Sequence, residues 1–166
     1  MAATPPRTAT VPVAEVFALR HAVLRPGLPA DSAAFPGDDA PGTFHVASYD
    51  ERGELRGCAT FLPEPLPGTG EEAYRLRGMA SDPAVRGLGH GAAVLRAGLA
   101  EAAARGAALV WCNGRTPARG FYEHHGFHAR GEEFTVEGVG PHFIFAIKLS
   151  GGAAGADADG SAGGPP

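Results

Sequence analysis

Between Met79 and Ala92 the chain changes period, and alternate glycines mark the change. Residues 73–81 alternate as a strand does, whereas Leu88, Ala92, Leu95, Leu99 and Ala102 form a helical apolar stripe. The junction reads Met79-Ala80-Ser81-Asp82-Pro83-Ala84-Val85-Arg86-Gly87-Leu88-Gly89-His90-Gly91-Ala92. Gly87, Gly89 and Gly91 lack β-carbons, so backbone N–H groups there can face a concavity that no side chain fills. The helix that follows adds about half a positive charge at its N-terminus, and Arg86 adds a permanent cation. Such a turn suits a phosphate or pyrophosphate. A glycine loop that merely reverses the chain is the plainer alternative, and its place at a strand-to-helix junction counts against it.

The elements around this junction predict a mixed α/β domain. Val13, Val16, Phe17, Val23 and Leu24 share a helical stripe over 12–25, with Thr10 as N-cap and Arg25-Pro26 as the stop. A punctuated loop runs through Pro26-Gly27-Leu28-Pro29 to Phe35-Pro36-Gly37-Asp38-Asp39. Strands over 43–49, 55–62 and 73–81 make an antiparallel meander, the first two joined by the turn Asp50-Glu51-Arg52-Gly53. The helix over 87–105 ends at Gly106, and the apolar run 107–112 suits a buried strand, parallel to 73–81 through a right-handed crossover. Thr116-Pro117 opens another helix that Gly126-Phe127 stops, and strands over 128–136 and 142–149 close the domain. The expectation is one sheet with helices on both faces.

Composition bounds the remainder. Of 166 residues, 25 are Gly and 15 Pro, and the excess collects at the C-terminus. From Ser150 to Pro166 no Val, Ile, Leu or aromatic residue occurs, which predicts a disordered tail; residues 1–8 read as a disordered arm, leaving 9–149 as one domain. A net charge of -4, with Lys148 the only lysine, lacks the basic footprint of a nucleic-acid binder. Cys58 and Cys112 form no CxxC, Pro5-Pro6 interrupts any signal-like run, and no stretch approaches about 18 apolar residues. These features point to a soluble, cytoplasmic protein without membrane or metal. His124 and His125 are adjacent on a helix and project about 100° apart, which suits no shared ion.

Gly87-x-Gly89-x-x-Ala92 also satisfies the loose dinucleotide pattern. A dinucleotide fold needs two βαβαβ halves, and this chain has a meander and a single βαβ. Asn113-Gly114-Arg115 also stands where a ribose-binding acid is wanted.

Arg86-Gly87-Leu88-Gly89-His90-Gly91 resembles the R/Q-x-x-G-x-G/A signature of the GCN5-related N-acetyltransferases, with Pro83 three residues before the arginine. Ala118-x-x-Phe121-Tyr122-Glu123-His124-His125-Gly126-Phe127 is similar to that family's A-x-x-F-Y-x-x-x-G-F segment. The resemblance covers residues 11–149 and implies the acyl-CoA N-acyltransferase (GNAT) fold, in which two parallel strands splay and acetyl-CoA enters the gap. By this resemblance, Met79 and Ser81 offer backbone groups to the thioester carbonyl and the pantetheine amide. Arg86, Gly87, Leu88, Gly89, His90 and Gly91 hold the pyrophosphate. Asn113 lies on the cofactor side of the partner strand, and Tyr122 matches the tyrosine that protonates the departing thiolate. The implied reaction is acetyl transfer from acetyl-CoA to a small-molecule or peptide amine, and the family often forms homodimers.

Two departures stand out. Arg115 replaces the asparagine often found before the second motif, and no carboxylate sits on the body of the strand 73–81, where a base is often found. Arg75 and Arg77 share a face there with Met79, either as solvated residues or as binders of a substrate carboxylate. His142, at the start of the last strand, is a candidate base or relay beside its ordinary role as a strand-end residue. The missing base keeps a non-catalytic acyl-CoA-binding or regulatory module on the same fold as the competing class.

Overall fold

The computed structural model describes residues 4–149. The tail expected from Ser150 onward and the first three residues of the expected arm lie outside the described residues.

The chain opens with a strand that the sequence pattern did not suggest. β1 (Arg7–Val11) pairs antiparallel with β2 (Phe44–Tyr49), with Thr8 opposite Ser48 and Thr10 opposite Val46. Arg7 and Thr8 are therefore strand residues, and Thr10 is no helix cap. The edge of β2 has backbone groups that need partners, and a short segment rich in β-branched residues supplies them. α1 (Val13–Leu24) starts after Pro12, and the N–H of Arg25 closes its last turn on the carbonyl of His21 at 3.0 Å.

The predicted meander follows as β2, β3 (Leu55–Pro63) and β4 (Tyr74–Ser81). Asp50 shapes the hairpin turn, its Oδ1 accepting from the N–H groups of Arg52 and Glu54. Beyond it come α2 (His90–Ala104), β5 (Leu109–Arg115), α3 (Arg119–His124), β6 (His128–Val136) and β7 (Gly140–Lys148). α2 begins at His90 rather than at Gly87, because Gly87 and Gly89 hold φ of 85° and 91°, outside helical space. The seven strands lie in the order β1-β2-β3-β4-β5-β7-β6. The parallel register of β4 on β5 sets Tyr74 opposite Val110 and Arg75 opposite Trp111. β5 pairs antiparallel with β7, and β7 with β6.

The chain divides into two compact units, Met1–Pro63 with Leu76–Glu101, and Glu64–Arg75 with Ala102–Pro166. In the first, strand alternation directs Ala47 and Cys58 to α1, where Val16 and Ala80 complete a buried cluster. The opposite face carries Phe44 and Phe61, stacked at 5.1 Å, and Gly98 of α2 lets the helix ride directly on the Phe61 ring. Helices thus cover both faces of this part of the sheet.

In the second unit, Leu66, Leu109, Trp111 and Ala146 make one buried cluster. Tyr122 stacks on Phe145 at 4.9 Å and meets Phe127 edge-on. α3 ends as its sequence predicts: Gly126, at φ 92°, donates to Glu123, and Phe127 donates to Tyr122, both at 3.0 Å. Thr116 does not cap it; its hydroxyl donates to Glu133 at 2.8 Å instead. Among the described residues, no helix is long and apolar enough to cross a membrane.

Candidate functional site

The glycine junction lies within the first unit and is anchored at its entry to β3 and at its exit to β2. At its entry, Asp82 donates its N–H to the carbonyl of Arg56 at 2.8 Å and accepts from Ala84 through Oδ1 at 2.9 Å. The Arg56 guanidinium reaches Asp82 at 2.7 Å and Asp50 at 2.8 Å. That side-chain bond from Arg56 holds the Asp50 carboxyl down at about 2. At its exit, the His90 ring sinks beneath the loop and shares a 2.8 Å hydrogen bond with the Ser48 hydroxyl. Gly57 leaves room for both, since a β-carbon there would collide with the Ser48 hydroxyl and stand 3.2 Å from His90. Burial lowers the His90 pKa, so the ring is neutral near pH 7.

Between these anchors the backbone is open. Arg86, Gly87, Leu88 and Gly89 are exposed, Leu88 by 66%. A β-carbon on Gly87 would meet nothing within 4 Å, so it is the left-handed backbone, not crowding, that calls for glycine. Gly91 answers to space instead: its β-carbon would stand 3.2 Å from the Ser81 hydroxyl. The amide of Ala93 bonds the carbonyl of Gly89 at 2.9 Å, so the helix proper starts there and the N–H groups of its first turn have no intrahelical acceptor. With the His90 ring turned inward, a cradle of peptide donors and one arginine remains. It fits a diphosphate, which is the group the residues at this place were expected to hold.

Met79 and Ser81 lie on β4, just before the junction, and both are half-buried. Gly78 interrupts that strand with φ of 64°. A left-handed residue inside a strand marks a local irregularity of the bulge kind, here just before Met79. Beside Gly78 lies a buried network that sequence reasoning missed. Arg20 of α1, fully buried, donates to both oxygens of Asp38, to the carbonyl of Ala33 and to the Thr60 hydroxyl. His45 joins through Thr60 at 2.8 Å and the Asp38 carbonyl at 3.2 Å. Burial alone would raise the Asp38 pKa, but the bonds from Arg20 and the Phe35 N–H outweigh it and hold the carboxylate below its ordinary value. Arg77 lies 4.6 Å from the centre of the Phe35 ring in the same cluster. A turn-rich Phe-Pro-Gly-Asp-Asp loop is all the sequence shows of this network.

The remaining expected residues belong to the second unit. Asn113 is exposed on β5, opposite Ile144 of β7. Tyr122 on α3 is buried between aromatic rings, and Gly114 makes its seat: a β-carbon there would come within 2.7 Å of the Tyr122 and Phe145 rings. Burial, reinforced by the neighbouring Cys112 thiol, pushes the phenol far above its ordinary pKa. The thiol is itself pushed up to about 12, chiefly by burial. Tyr122 therefore carries its proton throughout the neutral range.

Arg75 packs over the Trp111 ring at 5.1 Å and reaches the Glu64 carboxylate at 3.3 Å. Trp111 pins the same residue by donating Nε1–H to the Glu64 carbonyl at 2.9 Å. Glu64 carries no local signal in the sequence, because it comes not from the strand of Arg75 but from the segment after β3. His142 is buried, bonds the Gly140 carbonyl through Nδ1 at 2.8 Å and stacks with Phe134.

Known proteins carry the same pattern. The chain matches the acetyltransferase (GNAT) family over residues 14–127. It is 33% identical over 136 residues to YitI of Bacillus subtilis (strain 168), described as an uncharacterized N-acetyltransferase, covering 81% of this chain and 91% of that protein. The fold is that of Escherichia coli ElaA, at a TM-score of 0.70 and 17% identity, over 86% of this chain and 99% of that one. An aminoglycoside 6'-N-acetyltransferase complexed with coenzyme A shares it at a TM-score of 0.67 and 16% identity, over 91% and 99% of the two chains. The chain belongs to the acetyltransferase (GNAT) family. It is an N-acetyltransferase that draws its acyl group from an acyl-CoA.

Proposed function

We propose that this chain transfers an acetyl group from acetyl-CoA to a primary amine by direct attack within a ternary complex. The observation that carries the proposal is the open turn Arg86–Gly91, where left-handed Gly87 and Gly89 lead into the bare N-terminus of α2. Bound acetyl-CoA supplies a thioester, whose carbonyl carbon is the electrophile. The peptide donors of Gly87, Leu88, Gly89, His90 and Gly91, with the Arg86 guanidinium, hold its diphosphate. The Met79 N–H, next to left-handed Gly78, donates to the thioester oxygen as negative charge grows there. Ser81 offers backbone groups to the pantetheine amide, and Asn113 is the residue of β5 that the family resemblance assigns to the cofactor.

The attacking nitrogen must be neutral, so the acceptor ammonium gives a proton to solvent before the new C–N bond forms; as the C–S bond breaks, the nitrogen loses a second proton to solvent and becomes the amide. Tyr122 donates its phenolic proton toward the departing sulfur, a role that its raised pKa keeps available through neutral pH. The acceptor is a small-molecule or peptide amine. The coenzyme A held by the aminoglycoside acetyltransferase of the same fold supports the choice of cofactor.

Release of free thiol from acetyl-CoA, followed across a panel of primary amines, tests the proposal. Turnover with at least one amine is expected. Calorimetric binding of acetyl-CoA without turnover on any amine would instead indicate a non-catalytic acyl-CoA-binding module, and absence of binding would refute the diphosphate cradle.

A further inference from the structure

The Arg20 side chain is fully buried, yet an apolar residue could fill its space at less cost, since burying a charge is expensive even when it is paired. What an apolar side chain lacks is direction. Nη1 of Arg20 donates to the Ala33 carbonyl at 2.8 Å and to Asp38 Oδ2 at 2.7 Å. Nη2 donates to Asp38 Oδ1 at 3.1 Å and to the Thr60 hydroxyl at 2.6 Å. The Phe35 ring lies against the guanidinium, its centre 4.2 Å from Cζ. A planar fork held in this way can neither turn nor slide. Its remaining edge faces Gly78. A β-carbon at Gly78 would stand 3.3 Å from Nε and 3.6 Å from Nη2 of Arg20, and 3.2 Å from the Phe35 ring. The Nε–H has no acceptor among the described residues, so this edge acts as a wall rather than as a bonding partner.

The carbonyl of Gly78 accepts from the Cys58 thiol of β3 at 3.8 Å, and burial, which pushes that thiol up to about 11, keeps the proton on sulfur. This carbonyl and the N–H of Met79 belong to one trans peptide plane, so whatever holds Gly78 also aims the Met79 N–H. We propose that Arg20 is a positioning residue for acetyl transfer: clamped by Asp38, Thr60 and the Ala33 carbonyl, it walls one side of Gly78 and so fixes the peptide that presents the Met79 N–H to the thioester oxygen. All of these residues belong to the first unit. The proposal rests on the acetyl-transfer reading above and adds a residue of α1 to it. A group misplaced by about 1 Å can cost about a hundredfold in rate, so a side chain that touches neither substrate nor cofactor can govern kcat.

Arg20→Lys keeps a charge beside Asp38 but removes the fork. It should lower kcat in the thiol-release assay by about ten- to a hundredfold, while the Kd for acetyl-CoA holds. Gly78→Ala, which drives a β-carbon toward Nε, should lower kcat on the same scale. In the double variant the loss should not exceed the larger single loss, because both changes act on one peptide; losses that multiply would overturn the proposal. Should Arg20→Lys not fold, Thr60→Val, which removes one partner of Nη2, takes its place in the same cycle. Infrared difference spectra of bound acetyl-CoA, isotope-labelled at its thioester carbonyl, give a readout independent of turnover. In the wild type that carbonyl stretch should lie below the value for free acetyl-CoA, and in both single variants it should return toward it. A folded Arg20→Lys protein with a lower Tm but wild-type kcat and carbonyl frequency would make Arg20 a structural residue only, overturning the proposal and leaving acetyl transfer intact. If no amine is acetylated, the acetyl-transfer assignment fails, and the carbonyl frequency still decides whether Arg20 sets the Met79 peptide.

Discussion

Ser48 and His90, forty-two residues apart, share a 2.8 Å hydrogen bond that fastens the first residue of α2 to the second strand of the sheet. Both side chains are buried, and the Gly57 notch admits them. The bond holds the glycine turn without using any of its peptide donors. Ser48→Ala should raise the Kd for coenzyme A by about three- to tenfold, the worth of one hydrogen bond, with little change in kcat. Titration calorimetry reads the Kd directly, and an unaltered value would separate the bond from cofactor affinity.

A carboxylate placed in the cradle repels a diphosphate. Gly89→Asp also forces a β-carbon onto a backbone held at φ 91°. This variant should fold, as judged by circular dichroism, and should lose measurable affinity for acetyl-CoA. Retained affinity would show that the diphosphate binds elsewhere.

Tyr122→Phe keeps the ring among Phe127 and Phe145 and removes the proposed proton donor. We expect kcat to fall by about a hundredfold, within the range of general-acid catalysis, while the Kd for acetyl-CoA holds. Because the phenol's pKa is pushed upward, the wild-type kcat should show no loss attributable to Tyr122 near pH 10. A wild-type kcat in the variant would remove Tyr122 from the reaction.

Gly114 is a packing requirement of the same tyrosine. A methyl group there would come within 2.7 Å of the Tyr122 and Phe145 rings. Gly114→Ala should destabilise the protein by about 1–3 kcal/mol through overpacking, read from urea unfolding. It should also lower kcat, because the tyrosine must shift. An unchanged midpoint would mean that the rings give way freely.

Acid should unfold the protein in two stages. Burial lowers the pKa values of His45 and His90, so the unfolded chain binds their protons more readily, and stability falls as pH drops below about 6.5. Asp38 is held below its unfolded value of about 3.9; its contribution is complete above that pH and lost as pH falls through the lowered folded value. Asp38→Asn should remove the second stage and cost about 3–5 kcal/mol at neutral pH, since it strands the buried Arg20 charge. Unfolding free energies measured across pH for the wild type and this variant check both stages.

The glycine junction was legible because everything in it is local. A change of period, Pro83 after Asp82, and glycines at alternate positions act within one or two turns of chain, and the Gly126-Phe127 stop of α3 is legible for the same reason. β1 was not, because its five residues become a strand only against the edge of β2. Nor was the bond between His142 Nδ1 and the Gly140 carbonyl, which forms only once the start of β7 is in place.

The sequence by itself determined the alternation of strands and helices, the glycine turn before α2, and the aromatic face of α3, since each follows from backbone preference and the period of apolar residues. Only the tertiary structure decided that β7 lies between β5 and β6, that Glu64 meets Arg75, and that Arg20, Asp38, Thr60 and His45 close one network beside Gly78. Those choices join residues far apart in the chain. They are made when buried polar groups must find partners and apolar faces must be covered together, a condition on the whole fold that no short stretch of residues contains.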